Sequence, residues 1–142
     1  MTIATILDQK GREVFTMKPA STLTEVVKML REKKIGVVLL AEGATLKGIL
    51  SERDIVRALS DHGASVLSEP ASSFMTAKVV TCTEADTIVS VMSKMTTGRF
   101  RHMPVLAGKK LVGLVSIGDV VKRRIEETER EAEDMRQYIA SA

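Results

Sequence analysis

Residues 14–59 and 79–124 are two versions of one segment. Offset by 65 positions, they align without a gap and share 11 identities in 46 pairs. Average composition would give roughly three. Val14, Thr16, Ala20, Thr22 and Val26 meet Val79, Thr81, Ala85, Thr87 and Val91. Gly43, Leu46, Gly48, Ser51, Asp54 and Val56 meet Gly108, Leu111, Gly113, Ser116, Asp119 and Val121. About a third of the other pairs exchange one apolar residue for another. A chain that repeats itself this way folds as two copies of one supersecondary unit, and a site in one copy has a counterpart in the other. The expected relation between the copies is a pseudo-two-fold axis.

Apolar periodicity gives the order within each copy. Val14–Thr16 reads as a short strand. Thr22 and Glu25 have capping-box spacing, and Leu23, Val26, Val27 and Leu30 then share a helical face. Residues 35–40 read as a buried strand, 42–44 as a hairpin turn, 46–50 as the returning strand and 51–60 as a second helix. Copy two repeats this with strands at 79–81, 103–106 and 111–115, and a last helix from Ile117 or Gly118 into the tail. The fold class is therefore α/β (α+β), with two strand–helix–strand–strand–helix units. The boundaries are a leader at 1–13, unit one at 14–60, a linker at 61–74, unit two at 75–125 and a charged terminal helix at 126–142. The leader is apolar at Ile3, Ile6 and Leu7 and turn-like from Gln9 to Arg12. The tail is dense in both charges, with apolar positions at Ile125, Ala132, Met135 and Ile139. It is either a solvated helix or one that packs on a partner subunit.

Composition narrows the function. Net charge is +3 and pI about 9.1, with acidic residues concentrated in the tail, so the body is basic enough to attract phosphates. Aromatics are 3% with no Trp, which argues against a stacking platform for single-stranded nucleic acid. One cysteine and two histidines offer no disulfide and no metal-ligand spacing. There is no signal-peptide pattern and no window near the roughly 20 apolar residues of a membrane span. The expectation is a soluble cytoplasmic protein without metal or catalytic cofactor.

The chemistry lies in Gly-x-x-Ser-x-x-Asp, which ends each returning strand: Gly48, Ser51 and Asp54, then Gly113, Ser116 and Asp119. At a strand-to-helix junction this brings a hydroxyl, a carboxylate and open N–H groups to a helix N-terminus, which favours anions. A carboxylate there can also accept a ribose cis-diol. Alone, Ser-x-x-Asp is equally a capping box. Its recurrence in phase within a duplicated unit favours a binding role.

The unit order, the duplicated motif, Phe74-Met75-Thr76 opening copy two, and Arg101-His102-Met103-Pro104-Val105 on a central strand together resemble a tandem pair of CBS domains. The resemblance covers about residues 14–125 and is to the stand-alone bacterial type. It implies a disc-like module with two clefts that bind adenosine-containing ligands: AMP, ADP, ATP or NAD(H), with S-adenosylmethionine ranked lower. One implied cleft joins Thr81, Arg101, His102 and Met103 to Ser51, Arg53 and Asp54. The other joins Thr16, Ile35, Gly36 and Val37 to Ser116 and Asp119. Arg53, Arg101 and His102 make the first richer in groups for phosphate. In the second, Gly118 stands in place of Arg53, and Lys18 or Lys34 is the expected source of charge. Leu39 departs from the family's usual proline, which copy two has as Pro104.

His102, Asp54 and Ser51 could be drawn as a triad, but the duplicate motif has no histidine and ribose binding already explains the spacing. The expectation is a non-catalytic sensor that signals ligand state to a regulated protein, as at least a homodimer. Helix faces such as Ile55/Val56/Leu59 and Val120/Val121 are the expected dimer contacts. The alternatives are a constitutive oligomeric scaffold with vestigial clefts, or an accessory protein that binds nucleic acid.

Overall fold

The computed structural model describes residues 1–141. It contains helices α1 (Ile3–Lys10), α2 (Leu23–Lys33), α3 (Glu52–His62), α4 (Ile88–Gly98) and α5 (Ile117–Ser141). Strands β1 (Thr16–Met17), β2 (Val37–Glu42) and β3 (Thr45–Ser51) form one sheet in that order, and β4 (His102–Ala107) and β5 (Lys110–Ser116) form another. Mixed α/β architecture is thus as the repeat predicts. The chain divides into two compact units. One comprises residues 13–80 with the 107–112 turn. The other comprises residues 1–12, 81–106 and, as far as described, 113–141.

In the first of these units, β1 runs parallel to β2 and β2 antiparallel to β3, with Val37 opposite Ser51 and Glu42 opposite Thr45. Thr22 caps α2: its hydroxyl accepts from the Glu25 amide at 3.2 Å, and Glu25 reaches back to the Thr22 amide. This satisfies donors that a helix start leaves open. The apolar face of α2 then buries Leu23, Val26 and Leu30 with Leu40, Leu50 and Ile55. The 61–74 segment forms two short 3-10 turns, Ala64–Ser68 and Ala71–Ser73, which bring Val66 and Ala71 into the same core.

The second unit keeps the plan at the level of single dihedral angles. Lys34 and Arg99, equivalent under the 65-residue offset, both end their helices in the left-handed region, with φ 54° and 56°. Gly43 and Gly108 turn the two hairpins with φ 60° and 63°. The short first strands depart from expectation, and the one expected at 14–16 is Thr16–Met17. Residues 79–81 form no strand, and only a parallel bridge from Cys82 to Val105 remains. In the other unit the Leu39 amide donates to the Phe15 carbonyl at 3.4 Å. Its counterpart is Pro104, which has no N–H to donate, so the ladder starts later.

The leader is also more than an apolar approach to a turn. Residues 3–10 are helix α1, and Ile3, Ile6 and Leu7 are buried. The Ile3 and Ala4 amides donate to the carbonyls of Asp86 and Glu84, and the terminal amine pairs with Glu127 at 3.0 Å. Thr2 bridges to Thr87 as Pro70 bridges to Thr22, the residue equivalent to Thr87. The leader therefore serves its unit as the 61–74 segment serves the other.

The two glycines of the motif mark the same correspondence. A Cβ on Gly48 would overlap the Met75 side chain and lie 2.9 Å from the Thr76 carbonyl oxygen. A Cβ on Gly113 would lie 2.8 and 2.9 Å from the two terminal methyls of Leu7.

Candidate functional site

The β3–α3 corner carries Ser51, Arg53 and Asp54. Ser51 is extended, φ −108° and ψ 164°, and the chain turns helical immediately after it. Its Oγ accepts from the Asp54 amide at 3.2 Å. Asp54 Oδ2 accepts from the Ser51 amide at 2.9 Å and from the Ser51 hydroxyl at 3.0 Å. The capping box is therefore complete, and it orients the carboxylate rather than consuming it. Its second oxygen, Oδ1, has Arg57 Nη1 at 3.8 Å and remains able to accept hydroxyl hydrogens. Arg53 projects from the first turn and is exposed. The Gly36 carbonyl accepts from the Glu52 amide at 3.0 Å, which ties the start of β2 to the corner. Beside it Ile35 is half-buried, Val37 is buried, and Thr16 lies exposed on β1 opposite Leu39.

The β5–α5 corner repeats the device with one addition. Asp119 Oδ2 accepts from the Ser116 amide at 2.9 Å, and the Asp119 amide donates to Ser116 Oγ at 3.1 Å. The Ile117 amide donates to the Arg101 carbonyl at 2.7 Å, as Glu52 does to Gly36. The addition is Lys10 at the end of α1. Its ammonium donates to Asp119 Oδ2 at 2.7 Å and to the Leu114 carbonyl at 3.1 Å. Burial pushes the Asp119 carboxyl upward, but Lys10 and the Ser116 amide outweigh it and hold the group below the usual carboxylate range.

The sequence expectation put Lys18 or Lys34 near Ser116 and Asp119. Within its own unit Asp119 carries a cation that this expectation did not include, Lys10. The signal for it was present: Ile3, Ile6, Leu7 and Lys10 follow helical spacing, and Gly11 closes the run.

In the same unit, His102 opens β4 and is half-buried, Arg101 is exposed, Thr81 is half-buried and Met103 is fully buried. Met103 can therefore offer a ligand only its backbone. Burial lowers the His102 pKa, Lys10 and Arg101 lower it further, and Asp119 only partly opposes them. At neutral pH the ring is an uncharged hydrogen-bonding group.

The chemistry available is recognition of hydroxyls and anions. Among the described residues, no serine hydroxyl bonds to a histidine ring, and no group of three His, Cys, Asp or Glu could hold a metal. Burial, with help from Asp86, pushes the Cys82 thiol up to about 11, so it is no thiolate nucleophile at neutral pH. Among the described residues, no helix is long and apolar enough to cross a membrane.

Comparison with known proteins agrees with this fold. A mitochondrial CBS domain-containing protein of Arabidopsis thaliana is 31% identical over 97% of this chain and 71% of its own length. The crystal structure of a CBS-domain containing protein from Agrobacterium tumefaciens superposes with a TM-score of 0.84 at 41% identity, covering 87% of this chain and 99% of that one. A CBS domain protein from Pyrobaculum aerophilum, solved in complex with AMP, superposes with a TM-score of 0.75 at 25% identity, covering 84% of this chain and 89% of that one. The CBS domain family model matches residues 11–61 and again 71–126. The chain belongs to the CBS domain family and carries the domain twice.

Proposed function

We propose that this protein is a non-catalytic sensor of adenosine-containing ligands that passes ligand state to a regulated protein. The observation that carries the reading is the corner built twice, in which a capping serine fixes an aspartate at a helix N-terminus. An oriented carboxylate is suited to a ribose diol, and the N-terminal amides with Arg53 are suited to phosphate. The AMP complex of the Pyrobaculum relative supports the ligand class.

In this reading Ser51, Arg53 and Asp54 hold ribose and phosphate, and Ser116 and Asp119 are their counterparts. Thr81, Arg101, His102 and the Met103 backbone contribute in one unit, and Thr16, Ile35, Gly36 and Val37 in the other. AMP, ADP, ATP and NAD(H) are the favoured ligands, with S-adenosylmethionine below them. The Lys10–Asp119 pair makes the two corners unequal, because ribose at Asp119 competes with a resident ammonium. Ligand acts as a signal only through different affinities for two states of the protein.

The protein works in the cytoplasm as at least a homodimer. Of the helix faces expected at dimer contacts, Ile55 and Val120 turn into their own cores, and Val56 and Val121 remain outward at 65% and 38% exposure.

A thermal-shift panel of AMP, ADP, ATP, NADH and S-adenosylmethionine tests the reading, with inorganic phosphate as control. A ligand at 100 times its dissociation constant adds about 2.7 kcal/mol to stability. Stabilisation by adenosyl ligands beyond that by phosphate is expected. No shift with any adenosyl ligand would leave the constitutive scaffold as the better account.

A further inference from the structure

Helix α5 begins in a core and ends outside it. Val120 is fully buried, yet every described residue from Thr128 onward is exposed. About four turns, roughly 21 Å of helix, extend with no packing of their own. A helical segment of that length is marginal in water unless its apolar face is covered. That face exists: Ile125, Met135 and Ile139 are 52%, 58% and 67% exposed.

Its spacing identifies the cover. Val121, Ile125, Thr128, Ala132, Met135 and Ile139 are separated alternately by four and three residues. This is a heptad seam with Ile125, Ala132 and Ile139 at a and Val121, Thr128 and Met135 at d. A strict seven-residue period keeps one stripe facing a neighbour that supercoils with it.

We propose that the occupant is a second copy of this chain, its α5 lying parallel and in register as a two-stranded coiled coil. Charge carries the choice of partner and direction. In a parallel pair each g residue faces the e residue five positions later on the other helix. Arg124 then faces the partner's Glu129, and Glu131 faces the partner's Arg136. Both contacts are attractive, and two-fold symmetry makes each twice. Within the chain, Arg124 and Arg136 pair with Glu127 and Glu133 at 2.6 Å. The exposed Arg136–Glu133 pair is worth little and exchanges readily, whereas Glu127 is partly buried and Arg124 meets the partner with the guanidinium donors it does not use there. The inference stands apart from the nucleotide reading, because none of these residues belongs to either corner.

Disulfide trapping in the full-length protein tests it. Met135→Cys puts a thiol in the seam, two turns of the repeat from Val121, whereas Gln137→Cys puts one on the outward face. Cys82 is buried and stays out of the reaction. Under mild oxidant, Met135→Cys should form a covalent dimer roughly ten-fold faster or more, because the seam raises the effective concentration of the two thiols. Adding Glu131→Arg should slow trapping by opposing Arg136 across the pair, and adding Arg136→Glu as well should restore it. Equal rates at 135 and 137, or no dimer from either, overturn the coiled coil. Failure of the second charge reversal to restore trapping overturns the parallel register. Adenosyl-ligand stabilisation, measured on the same variants, separates any of these failures from failure of the proposed function.

Discussion

Asp54→Ala separates two roles that the β3–α3 corner combines. In the free protein the carboxylate closes a capping box with Ser51 through contacts of 2.9 and 3.0 Å, with its side chain 20% exposed. Losing a cap of this kind costs about 1 kcal/mol, within a range of roughly 0.5–2. For a chain of this size that is a fall in Tm of roughly 2–8 °C. Glu25→Ala removes the equivalent N3 carboxylate at α2, which has no proposed contact with ligand, and gives the baseline for a cap alone. Ligand binding is a separate loss. Two ribose hydrogen bonds to a charged acceptor are worth roughly 2–4 kcal/mol, and their removal weakens AMP roughly 30- to 700-fold. Calorimetric melting and AMP titration on the same samples read the two effects. Both variants should melt lower, and only Asp54→Ala should lose affinity. If Asp54→Ala melts lower yet binds AMP as tightly as wild type, the aspartate is a cap and nothing more.

Gly118→Arg supplies the cation that α3 carries as Arg53; a Cβ there meets only Ser116 Oγ at 3.6 Å. It should stabilise α5 by about 0.5–1 kcal/mol through helix propensity and raise the preference for AMP over adenosine, and an unchanged preference in titrations counts against phosphate reading at this position. Gly113→Ala forces a methyl against fully buried Leu7 and should cost about 1–3 kcal/mol in urea melts; an unchanged midpoint would mean α1 is not seated there. The His102 ring is held neutral by burial and then by Lys10 and Arg101. Its contribution to stability is therefore complete above the unfolded value of about 6.5 and is lost as pH falls through the lower folded value. Lys10→Met removes one repelling cation, so the His102 midpoint in an NMR titration should rise; a fixed or falling midpoint contradicts that assignment.

The duplication, the order of elements and the two Ser/Asp corners were legible in the sequence because each rests on local spacing. Apolar periodicity marks helices and strands, Thr22 and Ser51 announce caps, and glycines at 43 and 108 mark hairpins. The in-phase motif needed no knowledge of distant contacts. Three features depended on residues remote in sequence. The 79–81 segment has the composition of its counterpart at 14–16, but whether it pairs depends on a donor that Pro104, more than 20 positions later, does not have. Lys10 reads as part of a turn until α1 packs beside β5 and carries its ammonium to Asp119. His102 reads as a group for phosphate, and only burial and the same Lys10 decide that its ring is neutral. Local hydrogen bonding and periodicity are written residue by residue, and so the sequence determined the units and their corners. Charge state and strand pairing depend on what long-range packing brings alongside, and only the tertiary structure decided those.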